Sequence, residues 1–424
     1  MLDIKLIREN TDVVRKNLKK RNNPEYEKIL DSAIKLDKER RELIQKVESL
    51  KQQRNEITKG IAGLKAKGGF SNEIKKAKAI SSEIAKLDEK LIALDGKTTE
   101  SMMNLPNMLH ESVPEGKDDK DNVVIRTEGR KPKISDPKSH VELLQNLGML
   151  DLERAAKVAG HGFYYLKGDA VILDMALQRF ALDFLRKKLF TIVEPPLMLN
   201  EETFRRVTDW ETFNTQAYKL EGHDLRTIGT AEHPIGAMLS DEILLKNELP
   251  VLMAGVSPCF RREVGAHGKY TRGLFRVHHF NKVEQFVFCV PQDSWEWHEK
   301  LQKNAEELYR KLELHYRVVN VCTGDIGTIA AKKYDIEIWM ADGEFREAGS
   351  NSNCTDYQAR RLGIRYREKE GTAVKGFVHT LNNTALATSR IMIAIIEQFQ
   401  QTEGSVVIPK ALQPYCGFES LTAD

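Results

Sequence analysis

Between residues 25 and 64 the chain carries apolar side chains on a seven-residue repeat: Leu36, Leu43, Leu50, Ile57 and Leu64, with Ala33, Val47 and Ile61 at the intervening seam positions. A strict repeat of seven keeps one narrow stripe turned towards a partner, so this stretch folds as a long coiled-coil helix with its seam against another helix. Arg40 and Arg54 interrupt the stripe. Gly68-Gly69 break the helix, and a second repeat follows at Ala77, Ile80, Ile84, Leu87, Leu91 and Leu94. Two helices of similar length joined by a short glycine turn bury both seams most simply by folding back on each other. The pattern predicts an antiparallel helical hairpin whose first helix, at ~1.5 Å per residue, is roughly 60 Å long.

The tip of that hairpin, residues 59–78, holds six lysines (Lys59, Lys65, Lys67, Lys75, Lys76 and Lys78) against one acid, Glu73. Residues 1–110 contain 24 Lys+Arg and 17 Asp+Glu, and the remainder 41 and 45, so a total of +3 conceals a basic arm on a mildly acidic body. A lysine-tipped arm fits an extended polyanion such as RNA. A coiled-coil spacer or dimerisation rod with solvating lysines accounts for the same residues, and the arm alone does not separate the two.

With 424 residues the chain exceeds one small domain. Its N-terminus lacks the apolar stretch of a secretory signal, and its longest obvious apolar run, residues 391–396, falls far short of the ~20 needed to span a membrane. Five cysteines lie tens of residues apart, which argues against a disulfide framework or a CxxC zinc site and for a reducing compartment. A cytoplasmic protein without a membrane partner is expected.

Residues 107–135 are polar and irregular and read as a linker. Beyond them, helical patterns at 174–188, 295–313 and 390–401 mix with strand-like runs at 250–256, 273–290, 317–321, 334–340 and 376–381. Several strands follow one another without a helix between them, which predicts an α+β body built on an antiparallel β-sheet. No GxGxxG follows a strand, and neither GxxxxGK[ST] nor HExxH occurs. A nucleotide enzyme of this sequence would not use the common glycine-loop solutions.

Residues 257–288 are the most informative. Strand side chains alternate faces, so Arg276, His278, Phe280, Lys282 and Glu284 share one face, as do Arg261 and Glu263 on the preceding strand. The loop between them, 265–272, carries His267, Lys269 and Arg272. Arginines beside an aromatic ring suit phosphates held by guanidinium forks and a planar base stacked on the ring; a solvent-washed sheet face would also be polar. Further on, Glu347 and Ser350 lie among small residues, where they fit a magnesium ion bridging phosphates or the cap of a following helix. Arg390 opens a helix that is apolar almost all round, and a buried arginine there needs an anionic partner.

Together these segments resemble the class II aminoacyl-tRNA synthetases, and among them the zinc-free seryl-tRNA synthetases. The stretch Ile192-Val193-Glu194-Pro195-Pro196 resembles motif 1, PCFRREVG to KVE resembles motif 2, LNNTALATSR resembles motif 3, and Thr230-Ala231-Glu232 matches the TAE serine-binding motif. The chain departs from the commoner forms at Asn383, Ala385 and Ser389, where many members have glycine, and at EAGSNSN.

The resemblance implies an arm at 1–112 that binds tRNA(Ser) through the tip lysines and a catalytic domain at 113–424. It also implies a homodimer joined through motif 1, and ATP and Mg2+ as cofactors with no structural zinc. Arg261 and Arg390 would be catalytic. Arg261, Arg262, Glu263, Arg276, Val277, Phe280, Glu347, Ala348, Gly349, Ser350 and Arg390 would bind ATP, with Glu347 and Ser350 holding magnesium. Thr230, Ala231, Glu232, Arg261, Glu284 and Thr384 would bind serine.

Overall fold

Two short helices, α1 (Ile4–Glu9) and α2 (Thr11–Lys19), lead into α3 (Glu25–Leu64), one unbroken helix over the whole first heptad stretch, and α4 (Ser71–Met103) carries the second. The computed structural model describes residues 1–64, 71–263 and 273–423. The glycine turn at 68–69, together with Lys65 and Lys67, lies outside those residues.

Leu43, Val47 and Leu50 of α3 pack on Ile80, Ile84 and Leu87 of α4. Pairing runs downwards along α4 as it runs upwards along α3: Arg40 bonds Asp95, and Lys46 reaches Glu83 at 3.0 Å. The helices are therefore antiparallel. Arg40, an interruption in the stripe, is where the seam meets an acid on the other helix. Asp37 of α3 is buried and takes two bonds from Arg8, at 2.7 and 2.5 Å, tying α1 to the rod; this guanidinium holds the Asp37 carboxyl below its ordinary range.

Residues Met1–Met108 form one compact unit and Leu109–Asp424 a second. The second is built on an eight-stranded sheet: β1 (Val123–Glu128), β2 (Thr191–Val193), β3 (Val251–Phe260), β4 (His279–Cys289), β5 (Tyr316–Asn320), β6 (Lys332–Trp339), β7 (Phe345–Asn353) and β8 (His379–Ala387). Its order is β1-β5-β6-β7-β8-β4-β3-β2, antiparallel throughout except where β2 joins β3. The stretch read as a linker thus contributes an edge strand, β1. It does not alternate: Val123, Val124 and Ile125 are three apolar residues in a row, all exposed on the sheet edge, followed by polar Arg126, Thr127 and Glu128.

Five helices matter for the site: α5 (Asp169–Lys187), α6 (Glu232–Ala237), α7 (Ser294–Lys311), α8 (Tyr357–Leu362) and α9 (Thr388–Gln398). Leu173, Leu177, Leu301, Leu308, Ile391 and Ile395 share the main core with Val283, Val287, Ile336 and Leu381 of the strands. A smaller core joins Ile235 and Leu362 to Phe286 and Phe288.

Besides an irregularity at Ile125 on the edge strand, two β-bulges shape the part of the sheet that carries the site. Asp335 pairs with Ser350 and Ile336 with Gly349, but Glu337 pairs with Glu347, leaving Ala348 extra. Likewise Thr384 pairs with Glu284 but Leu386 with Val283, leaving Ala385 extra. Neither Ala385 nor its neighbours Asn383 and Ser389 has a positive φ, so glycine's freedom is not needed there.

Opposite residues share a face, so one row holds Gly255, Glu284, Thr384, Ser350 and Asp335, and the adjoining row on the reverse holds Ala254, Gln285, Asn383, Asn351 and Tyr334. The reverse row is bonded to α7. Asn304 Nδ2 donates to Gln285 Oε1 at 3.0 Å, and Asn351 Nδ2 donates to the His298 carbonyl at 2.9 Å and to Gln302 Oε1 at 3.2 Å.

Ile84 is buried in the seam between the two long helices. Ile84→Ala should cost the arm about 2–3 kcal/mol, read by circular dichroism as a helical transition moved to lower denaturant concentration.

Candidate functional site

The row of Glu284 and Thr384 is closed on one side by the turn at Thr230 and by α6, which begins at Glu232. That close approach depends on Gly255, opposite Glu284: a Cβ there would lie 2.5 Å from Ile235 Cδ1 and 2.7 Å from Ala231 Cβ. The result is a small polar pocket. Thr230 and Ala231 are buried, Lys282 Nζ lies 2.5 Å from Glu284 Oε2, and the Thr384 hydroxyl donates to the same oxygen at 3.4 Å. Glu232 Oε1 accepts from Gln358 Nε2 of α8 at 3.2 Å. Desolvation, then the neighbouring Glu284, pushes the Glu232 carboxyl up to about 7. Two carboxylates and two hydroxyls around a space this size can take an ammonium group and a hydroxyl.

Arg261 lies at the end of this pocket. Its Nε donates to the Gly229 carbonyl at 3.3 Å, and its guanidinium sits 5.4 Å from the Phe280 ring centroid and 5.8 Å from that of Phe213. Strand alternation holds for Phe280, Lys282 and Glu284 but stops beyond them. β3 ends at Phe260 and β4 begins at His279, so Arg261, Glu263, Arg276 and His278 lie past the regular ladder. One further step of pairing persists, from Arg261 N to the His278 carbonyl at 3.0 Å. Glu263 then turns into the left-handed region (φ 47°) and accepts from Arg276 at 3.2 Å. Arg262 and Arg276 are exposed and Val277 is buried. His267, Lys269 and Arg272 lie outside the described residues.

The bulge at Ala348 decides the third part of the site. Glu347 and Ser350 stand three apart in β7, which in a regular strand sends them to opposite faces; the extra residue restores both to the face of Asp335 and Glu337. Both residues are therefore on a strand rather than capping a helix. Asp335, which sequence reasoning did not single out, is buried with its Oδ1 lacking a hydrogen-bond partner among the described residues. Burial pushes its carboxyl well above the ordinary range. Glu347, whose side chain is half exposed, meets less desolvation than Asp335, and Arg390 and then Lys333 outweigh it and hold its carboxyl below that range. This is a set of hard oxygen donors facing an open cleft, which suits a magnesium ion shared with phosphates. Among the described residues no group of three or more His, Cys, Asp and Glu side chains forms a metal cage.

Arg390 is not buried: its side chain is 21% exposed, and its partner is Glu347, through the backbone carbonyl at 2.9 Å and Oε1 at 3.1 Å. The guanidinium lies 4.9 Å from the centroid of Phe275, an aromatic that parity left unassigned. Among the lysines of the tip, Lys59, Lys75, Lys76 and Lys78 are exposed. Among the described residues no helix is long and apolar enough to cross a membrane.

Residues 1–109 match the family described as the seryl-tRNA synthetase N-terminal domain, and residues 213–399 the tRNA synthetase class II core domain (G, H, P, S and T). The serine–tRNA ligase of Methanospirillum hungatei is 50% identical over 418 residues, 98% of each chain. Among solved structures, seryl-tRNA synthetase from Pyrococcus horikoshii complexed with ATP superposes over 100% of both chains with a TM-score of 0.95 and 47% identity. The cytoplasmic serine–tRNA ligase from Naegleria fowleri in complex with AMP covers 100% of this chain and 99% of its own, with a TM-score of 0.89 and 35% identity.

The raised Glu232 carboxyl has a measurable cost. A carboxyl whose pKa is higher folded than unfolded loses stability as pH rises from about 4.5 to about 7. Glu232→Gln should therefore leave stability near pH 4.5 almost unchanged and raise it at pH 8 by on the order of 1–2 kcal/mol, seen as a pH-dependent gain in Tm.

Proposed function

The chain belongs to the seryl-tRNA synthetase family, and from that premise we propose that it activates serine with ATP to seryl-adenylate and pyrophosphate, then transfers the serine to the 3′-terminal ribose of tRNA(Ser). The observation that carries this reading is the single row joining Glu284, Thr384 and Ser350, with Arg261 at its end and Glu232 closing over it. A small amino acid at the first end is thereby set beside a guanidinium and an oxygen-donor cleft at the other.

A serine carboxylate oxygen attacks the α-phosphorus in line, and the bond from that phosphorus to the bridging oxygen breaks as pyrophosphate leaves. No protein nucleophile is needed; positioning and charge stabilisation by Arg261 and Arg390 carry the step. Arg261 serves the α-phosphate and the serine carboxylate. Phe280 is the floor for adenine, Glu263 reads its amino group, and Arg276 takes the phosphate tail, with the chain at Arg262, Val277, Ala348 and Gly349 lining the nucleotide. Glu347 and Ser350 would hold magnesium, which neutralises charge on the phosphates when bound. Thr230, Ala231, Glu232, Glu284 and Thr384 select serine by its hydroxyl and ammonium. Hydrogen bonding is the only discriminator available, since alanine and glycine fit any pocket that admits serine.

Residues 1–112 are the tRNA-binding part, gripping RNA backbone through Lys59, Lys65, Lys67, Lys75, Lys76 and Lys78, and residues 113–424 the catalytic part. The protein would be cytoplasmic, and a homodimer joined through motif 1 is supported by exposed apolar side chains at Ile192 of that motif and at Ile172, Met175 and Leu189 in the chain preceding it.

Serine-dependent ATP–pyrophosphate exchange tests this directly. Arg261→Ala should lower it by orders of magnitude, and near-normal exchange would refute the site. Deleting residues 59–78 should leave exchange intact and cripple tRNA charging; equal loss of both would make the arm a folding element instead.

A further inference from the structure

Among the described residues the Glu232 carboxylate has one hydrogen-bond partner, the side-chain amide of Gln358. Gln358 is completely buried on α8, and the orientation of its amide is determined by its other neighbours. Nε2 also donates to the Val207 carbonyl at 3.3 Å, and Oε1 accepts from the Thr380 hydroxyl at 2.7 Å. A carbonyl can only accept, so turning the amide over would set two oxygens against each other at Val207. Gln358 is thus a fixed donor aimed at one oxygen of Glu232.

We propose that Gln358 is a positioning residue for amino-acid selection, holding Glu232 by Oε1 so that Oε2 is presented to the hydroxyl or ammonium of the bound amino acid. The inference rests on the serine pocket assigned above. Glu232 faces Glu284, Lys282 and Arg261, and Glu284 repels it. Without a neutral donor on its outer oxygen, a carboxylate in that company would turn towards Lys282 and leave the substrate. A glutamine supplies the donor without adding a charge that would compete with the ammonium.

The test compares Gln358→Met, which keeps length and removes the donor, with Thr380→Val, which only frees the far side of the amide. Both are assayed in ATP–pyrophosphate exchange, in the wild-type and Glu232→Ala backgrounds. Gln358→Met should raise the KM for serine about tenfold or more, with the KM for ATP within about twofold, and Thr380→Val should raise it by a smaller factor. In the Glu232→Ala background either change should add less than about twofold, because the effect passes through the missing carboxylate. An unchanged serine KM, or the same factor in both backgrounds, overturns the role; should Gln358→Met fail to fold, Thr380→Val decides on the same criteria. Wild-type exchange with serine, threonine, alanine and glycine is run alongside. Exchange with a different amino acid overturns the serine assignment, whereas a flat KM in the variants, for whichever amino acid the wild type uses, overturns Gln358.

Discussion

Antiparallel pairing forces opposite residues onto one face, and the sheet's share of the pocket follows from that rule and two interruptions of it. β4, β8, β7 and β6 each give one polar residue to a single row, Glu284, Thr384, Ser350 and Asp335. The row by itself would be narrow. The bulge at Ala348 widens it by bringing Glu347 round beside Ser350, and the bulge at Ala385 brings Ala387 opposite Lys282 just before α9 delivers Arg390. An inserted residue in each of two strands converts a line of side chains into a cleft with two ends.

Within that cleft most charges already have partners: Lys282 with Glu284, Arg276 with Glu263, Arg390 with Glu347. Such pairing keeps guanidiniums and carboxylates from collapsing onto arbitrary neighbours, and it means that a nucleotide exchanges ion pairs rather than meeting bare charges. Glu232 and Arg261 differ: among the described residues their bonded support is neutral, the Gln358 amide for one and the Gly229 carbonyl for the other, and Glu232 carries the raised carboxyl expected of a group kept for a partner that comes and goes.

The long hairpin was legible because heptads act locally: Leu43, Val47, Ile84 and Leu87 reveal their seam without knowledge of anything else. Arg40 was not, since its reason, Asp95, is 55 residues away on the other helix. Parity predicted the shared face of Phe280, Lys282 and Glu284 but overran the strand ends, so Arg276, His278 and Glu263 were read on a ladder that had already stopped. Residue chemistry alone offered Glu347 and Ser350 as magnesium ligands or as a helix cap, and only the family resemblance favoured the first. Their spacing of three contradicts strand alternation, and a bulge leaves no signature in one sequence. Gln358 and Asp335 were out of reach for a simpler reason: each matters through a neighbour supplied by another element.

The polar reverse of the sheet has an evolutionary corollary. Because Gln285, Asn383 and Asn351 lie directly behind Glu284, Thr384 and Ser350, and two of them are bonded to α7, the substrate row cannot shift without loosening amides on its far side. A lineage drifting towards a bulkier amino acid would therefore accumulate compensating replacements at His298, Gln302 and Asn304. Those positions touch no substrate, and a comparison confined to the cavity wall would overlook them.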